Sequence, residues 1–235
     1  MRGKTVAAAL VVFGACLLSM GGCVSQTEWR YTPDTYPARS EPLADKALAI
    51  PPFRDTRPNE NELAVWPAFI PLMPYGWADY SVPPDNLFGG PANFAEHFAQ
   101  KAAEELKASG LFRDVFLAQR ASEGQLVLIG TLQSTRNQSK IITYGVSVLA
   151  PFPWLLGLPV ATRHLELVIH LSLQERSTRR EIWRKTFAAK HDESPIGLYY
   201  NNSVPDDAAY DLMFKDMMRD CVKSLESALL QQHGG

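Results

Sequence analysis

The chain has 235 residues, 23 Lys and Arg against 25 Asp and Glu, and 46% apolar residues. A formal net charge of −2 gives no basic excess to neutralise a phosphate backbone, so nucleic acid is excluded as an expected partner. Cys16, Cys23 and Cys221 are the only cysteines; with two in the amino-terminal segment, no internal disulfide can hold a folded body, and a core must do so.

Arg2 and Lys4 open the chain, Val6 to Met20 is an uncharged apolar run, and Gly21 and Gly22 precede Cys23. A charged start, an apolar centre and a small-residue cleavage site form a secretory signal, too short to span a bilayer. Met20-Gly21-Gly22-Cys23 resembles the lipobox of bacterial lipoproteins, with methionine where leucine is usual. The resemblance implies cleavage before Cys23, an N-acyl group and an S-diacylglycerol on that cysteine, and no other cofactor. Cys16, after Phe13-Gly14-Ala15, is a rival site, but it would leave a much shorter apolar run. The family's sorting rules imply delivery to the periplasmic face of the outer membrane, because Val24 and not aspartate follows Cys23. Two acyl chains already anchor a protein stably. Loss of residues 1–22 leaves 21 basic against 25 acidic residues, a net charge of −4. About 213 residues remain, which suits one domain and a tail.

Val24 to Asp45 is polar, carries Pro33, Pro37 and Pro42, and has no period. It reads as a flexible tether over 23–45. Lys46 to Pro51 reads as a short buried strand ended by Pro51 and Pro52. Leu63 to Ala78 has no charge and carries Trp66, Phe69, Tyr75 and Trp77. Its three prolines forbid a regular helix, so it reads as an apolar loop.

Asn93 to Ser109 reads as a helix. Asn93 caps it, Phe94, Phe98, Ala102 and Leu106 recur every four residues, and Gly110 stops it. Lys101, Glu104, Glu105 and Lys107 mark its wet side, and His97 falls on its surface. Leu111 to Leu117 leads into a short strand. Gln125 to Gln133 is a strand with Leu126, Leu128 and Leu132 alternating. From His164 to Gln174, Leu165, Leu167, Ile169, Leu171 and Leu173 face one way and His164, Glu166, His170, Ser172 and Gln174 the other, which gives one buried and one wet face. Ser177 to Arg180 reads as a hairpin turn, and Glu181 to Lys190 as a strand with Trp183 and Phe187 on one side. Pro205 to Gln232 reads as the last helix; Ser203 and Asp206-Asp207 suit its positive end. Its stripe is Tyr210, Phe214, Met217, Cys221, Leu225 and Ala228, which makes Cys221 a small buried hydrophobe.

The order β-α-β-β-β-β-α predicts an α+β two-layer sandwich over 46–232. Its mixed, mostly antiparallel sheet has one face covered by two helices. The first crossover should be right-handed with the first two strands parallel, and the others should form an antiparallel meander. Leu48-Ala-Ile-Pro-Pro-Phe53-Arg-Asp55-Thr-Arg57 resembles the opening strand and polar turn of the curli-secretion lipoprotein, the penicillin-binding-protein activator lipoproteins and the TolB amino-terminal domain, where the same element order occurs. That resemblance implies a periplasmic domain that docks to another envelope protein or to its own copies.

Between Lys140 and Arg163 no residue is charged. Ile141 to Thr162, which includes Phe152, Trp154, Leu155 and Leu156, admits three readings: strands joined by a connection packed on the core, an exposed hairpin touching lipid or a partner, or a spanning segment. Three prolines and two glycines oppose the last. No Gly-x-Ser-x-Gly elbow, His-Glu-x-x-His, phosphate loop or paired-cysteine motif is present, so the chain reads as a non-enzyme without a metal site. His164 and Glu166 lie about 7 Å apart on one strand face and could share a metal; a solvated sheet face is the plainer reading. His191-Asp192-Glu193 is a charged loop with no nucleophile beside it. The expected role is a non-catalytic binding and assembly lipoprotein docking through Trp66, Phe69, Tyr75, Trp77, Phe152, Trp154, Leu155 and Leu156. The alternatives are an auxiliary lipoprotein of a lipid-transport system and a cell-wall hydrolase.

Overall fold

A strand of fifteen residues, β8 (Ala161–Glu175), is the spine of the structure; at this length it runs about 50 Å. The computed structural model describes residues 31–82, 93–119, 124–200 and 206–233. The signal segment, Cys23, Ser203 and Pro205 lie outside the described residues.

In chain order the elements are β1 (Ala44–Ile50), β2 (Arg54–Asp55), β3 (Asn61–Ala64), β4 (Tyr75–Tyr80), α1 (Phe94–Ser109), β5 (Phe112–Leu117), β6 (Leu126–Ser134), β7 (Asn137–Ile142), α2 (Pro151–Leu155), β8, β9 (Glu181–Ile196) and α3 (Asp206–His233). They make an α+β fold on one mixed sheet ordered β3-β4-β7-β8-β6-β1-β5, with β2 on β6 and β9 on β8. β6 and β7 line one edge of β8 end to end, from Leu126 opposite Glu175 to Ile141 opposite Ala161. β9 lines the other edge. The outer edge of β6 takes β1 and β2, and that of β7 takes β4.

The period-two pattern of β8 buries Leu165, Leu167, Ile169, Leu171 and Leu173 in one core with residues of α1 and α3. Phe98 of α1 stacks on Phe214 of α3 at 4.8 Å between centroids, and Phe94 meets Tyr210 edge-on at 5.3 Å. Trp183 and Phe187 of β9 join this core, and Trp183 Nε1 donates to Ser224 Oγ at 3.0 Å. At the start of α1, Asn93 accepts the Glu96 amide; Gly110 ends it with φ of 64°, a left-handed conformation that suits glycine. Cys221 is fully buried, and burial pushes its thiol far above the ordinary value.

Several expectations need correction. One strand was expected before α1, and there are four. The loop expected over 63–78 contains β3, a 3₁₀ turn at Trp66–Phe69 and β4. Clustered prolines hide the alternation that starts only at Tyr75. β1 and β5 are parallel as expected, but β6 is also parallel to β1 and is not the next strand of a meander. It starts level with Leu48 and runs on to Arg54 and beyond.

Residues 31–39, expected within the flexible tether, are instead held on the body. Tyr31 is buried, and Glu105, expected on the wet side of α1, is fully buried. Its carboxylate accepts from Tyr31 Oη (2.5 Å), Tyr36 Oη (2.7 Å) and the Asp34 amide (3.1 Å). Burial, then the bond to Glu105, pushes both tyrosine hydroxyls well above their ordinary range. Lys101 Nζ lies 4.3 Å from the centre of the Tyr31 ring, and Arg39 pairs with Glu226 at 2.7 Å. Residues 31–39 are therefore a strap fixed to the two long helices.

An uncharged apolar end as candidate functional site

Sheet register brings the two uncharged stretches together. Tyr75 of β4 pairs with Ile142 of β7, so the chain before β4 meets the chain after β7. The Pro74 carbonyl accepts from the amides of Thr143 (2.8 Å) and Tyr144 (3.1 Å), and the Leu72 amide donates to Gly145 O (2.9 Å). Ser147 Oγ donates to the Phe69 carbonyl. Within the first stretch, Gly76 lets Val65 close on β4, because a Cβ there would lie 2.6 Å from Val65 O. A third segment joins them. Val160 N donates to Ile196 O at 2.7 Å, and Tyr199 Oη and Tyr200 Oη donate to the carbonyls of Leu155 and Gly157, each at 3.1 Å.

The result is one end of the molecule covered with apolar side chains. Leu72 is 89% exposed, Leu156 83% and Val148 74%. Trp66, Phe69, Tyr75, Phe152 and Leu155 are exposed beside them. Trp77 and Trp154 are half-buried. Trp77 meets Tyr75 edge-on at 6.2 Å, and Trp154 Nε1 donates to Ile142 O at 2.8 Å, so Trp154 braces the second loop as well as showing its face. All eight residues predicted for docking thus lie at this end. Ile141–Thr162 is not buried in the core, and among the described residues no helix is long and apolar enough to cross a membrane. The stretch holds the end of β7, a 3₁₀ turn at Ser147–Leu149, α2 and the first residues of β8.

The sequence reading missed Leu72, Val148, Leu198 and Tyr199, all exposed here. Leu72 lay inside a stretch read for its aromatics. Ile196-Gly-Leu-Tyr-Tyr200 is a third uncharged run whose only signal was its position after a charged strand end. Among the described residues, the non-glycine positions with positive φ include Leu72 (72°), Tyr144 (57°) and Ser147 (53°), all at this end. Each costs about 1–2 kcal/mol.

Charges at the border pair with one another. Arg163 meets Glu193 at 2.7 Å with both side chains largely buried, Glu193 also meets His191 at 3.1 Å, and Lys140 Nζ lies 5.5 Å from the centre of the Tyr75 ring. Further along the sheet the Arg136 guanidinium holds the Asp79 carboxyl below the usual carboxylate range. The strand face considered for a metal is engaged across the β8–β9 ladder. His164 faces Asp192 at 2.7 Å, Glu166 faces Lys190 at 3.7 Å, and His170 faces Thr186 at 2.9 Å. Among the described residues no group of three or more His, Cys, Asp or Glu converges. His97, expected on the surface of α1, meets the buried Asp211 of α3 at 2.6 Å.

No protein-family model matches the chain, and no curated protein does. Solved structures similar to it include a DUF330-family protein from Xanthomonas campestris, 12% identical, covering 86% of this chain and 95% of that one with a TM-score of 0.48. A neuraminyllactose-binding hemagglutinin homolog from Helicobacter pylori is 11% identical over 85% and 97%, at 0.44. The PelC dodecamer from Paraburkholderia phytofirmans is 17% identical over 77% and 88%, at 0.36. At these identities and scores the likeness says nothing about function, and the site is read from its own geometry.

Proposed function

We propose that the chain is an outer-membrane lipoprotein, anchored in the periplasm by acylated Cys23, that acts as a non-catalytic binding and assembly factor through its apolar end. The observation that carries this reading is the convergence of three uncharged segments, distant in sequence, on one exposed surface held by hydrogen bonds between them. Exposed apolar patches beyond a few hundred Å² are uncommon on monomers and mark interaction sites. The mixture of indole, phenol and branched aliphatic groups is that of a docking surface.

Two measurements test the reading. Mass analysis of the mature chain should find a diacylglyceryl and an acyl group on Cys23. With Cys221 buried, the native protein should then titrate no thiol, and one after denaturation. One reactive thiol in the native chain means an unmodified Cys23 and removes the anchor. Replacing Leu72 and Leu156 with aspartate should leave melting and anchoring unchanged but uncouple the protein from whatever covers that end; unchanged cross-linking there removes the docking role.

A further inference from the structure

We infer that the apolar end docks into a lipid bilayer, the same one that takes the Cys23 acyl chains, so that the body lies along that membrane on two attachments. The inference rests on the anchored reading above and adds to it the occupant of the docking surface.

Backbone chemistry favours lipid over protein. A segment entering hydrocarbon must satisfy its own N–H groups, because nothing there replaces water. Much of the outermost backbone does, though the Val148 and Phe152 amides do not. Besides the bonds of Leu72 and Tyr144, the Leu156 amide donates to Phe152 O and the Leu158 amide to Pro153 O, each at 3.1 Å. Pro67, Pro71, Pro74, Pro151, Pro153 and Pro159 bring no N–H at all. A protein partner could itself supply such bonds, so an interface with one has less need of a surface that satisfies so much of its own backbone.

Side-chain placement agrees. The three most exposed of these groups are aliphatic and sit on separate turns, Leu72, Val148 and Leu156. Trp66 and Tyr199 are exposed with them and the rings of Tyr75, Trp77 and Trp154 less so; tryptophan and tyrosine are the side chains enriched at a membrane–water boundary. The sequences 63–78, 141–162 and 196–200 hold no charge, whereas protein interfaces are typically rimmed by polar groups and enriched in arginine.

Reach selects the bilayer. From Cys23 to the first described residue, Tyr31, is eight residues, a span of at most roughly 29 Å. The strap binds Glu105, Arg219 and Glu226. That region is near Ser224, which Trp183 holds beside the Leu173 end of β8, while the apolar end lies at Ala161. The strap is thus fixed on α1 and α3 and not at the apolar end. A link this short keeps the whole body close to the bilayer that takes the acyl chains. The second contact is then effectively intramolecular and forms even when each side chain contributes little.

The test uses the full mature chain, acylated at Cys23, in vesicles of phosphatidylethanolamine and phosphatidylglycerol. An environment-sensitive fluorophore is placed at Leu156→Cys or Val148→Cys, with Thr178→Cys in the β8–β9 turn as the comparison. The expected result is a blue shift at positions 156 and 148 with loss of emission to nitroxide-bearing lipids, none at 178, and loss of the shift with Leu72→Asp while the protein still floats with vesicles. Water-like emission at all three positions in floating protein overturns lipid docking and leaves the anchored reading standing. A blue shift without lipid quenching, in larger sedimenting particles, means a second copy covers the end and also overturns it. Failure to float overturns both readings.

Discussion

The two ends of β8 carry similar side chains to opposite fates. Toward Glu175, leucines, phenylalanines and a tryptophan pack beneath α1 and α3. Beyond Ala161, leucines, phenylalanines and a tryptophan stand in the open on three joined loops. Hydrophobicity does not separate the ends; periodicity does. An apolar residue every second position on a strand, or every fourth on a helix, has a face to bury and a partner layer to bury it against. An uncharged run broken by prolines has neither, and its apolar groups remain exposed until something outside the chain covers them.

The largest expected effect falls on the covered end. Phe98→Ala removes the ring stacked on Phe214 and should cost about 3–5 kcal/mol in urea unfolding. A loss below about 1 kcal/mol would mean that the helices do not share the core described. Next is the strap. Glu105→Ala leaves two tyrosine hydroxyls and one amide without their acceptor, at a cost of about 2 kcal/mol. Trypsin should then cleave at Arg39 far faster than in the parent chain; equal rates would detach the strap from the account.

This strap shows where sequence reasoning fell short. α1, β8, β9 and α3 were legible because their periods are long and regular, and Asn93 and Gly110 mark helix ends by chemistry that needs no tertiary partner. Glu105 was read as solvated because a carboxylate on a helix normally is. Only the tertiary fold brings Tyr31, Tyr36 and the Asp34 amide to it. The eight candidate contact residues were legible from missing charge and clustered aromatics. Their convergence was not, because it follows from the register of β4 on β7 and of β8 on β9, and neither β4 nor the far half of β9 has a clear period. Leu72 and Val148 carried no signal of their own.

A smaller effect concerns acid. The Arg219 guanidinium holds the Asp34 carboxyl below the usual carboxylate range. A carboxylate with a lowered folded pKa adds stability that is present above its unfolded value and disappears as pH falls through the folded one. Melting temperature should therefore fall on acidification below the ordinary carboxylate range, and Asp34→Asn should flatten part of that fall. An identical acid profile for the variant would remove this ion pair from the strap's support. The smallest effect is at the open end. Leu72→Ser and Leu156→Ser should each change stability by less than about 0.5 kcal/mol, as exposed positions do, whereas Trp154→Ser should cost more because its indole N–H bridges to Ile142 O. Large losses at Leu72 or Leu156 would make those side chains core and erase the contrast between the ends.

The most direct measurement is hydroxyl-radical footprinting of the acylated protein in its own membranes and again after purification in detergent-free, non-acylated form. The account predicts that Trp66, Phe152 and Leu156 are strongly protected in the membrane preparation and freely oxidised in the purified chain, while Trp183 is protected in both. Equal oxidation of the three in both preparations would show that nothing covers the apolar end, and would contradict the account.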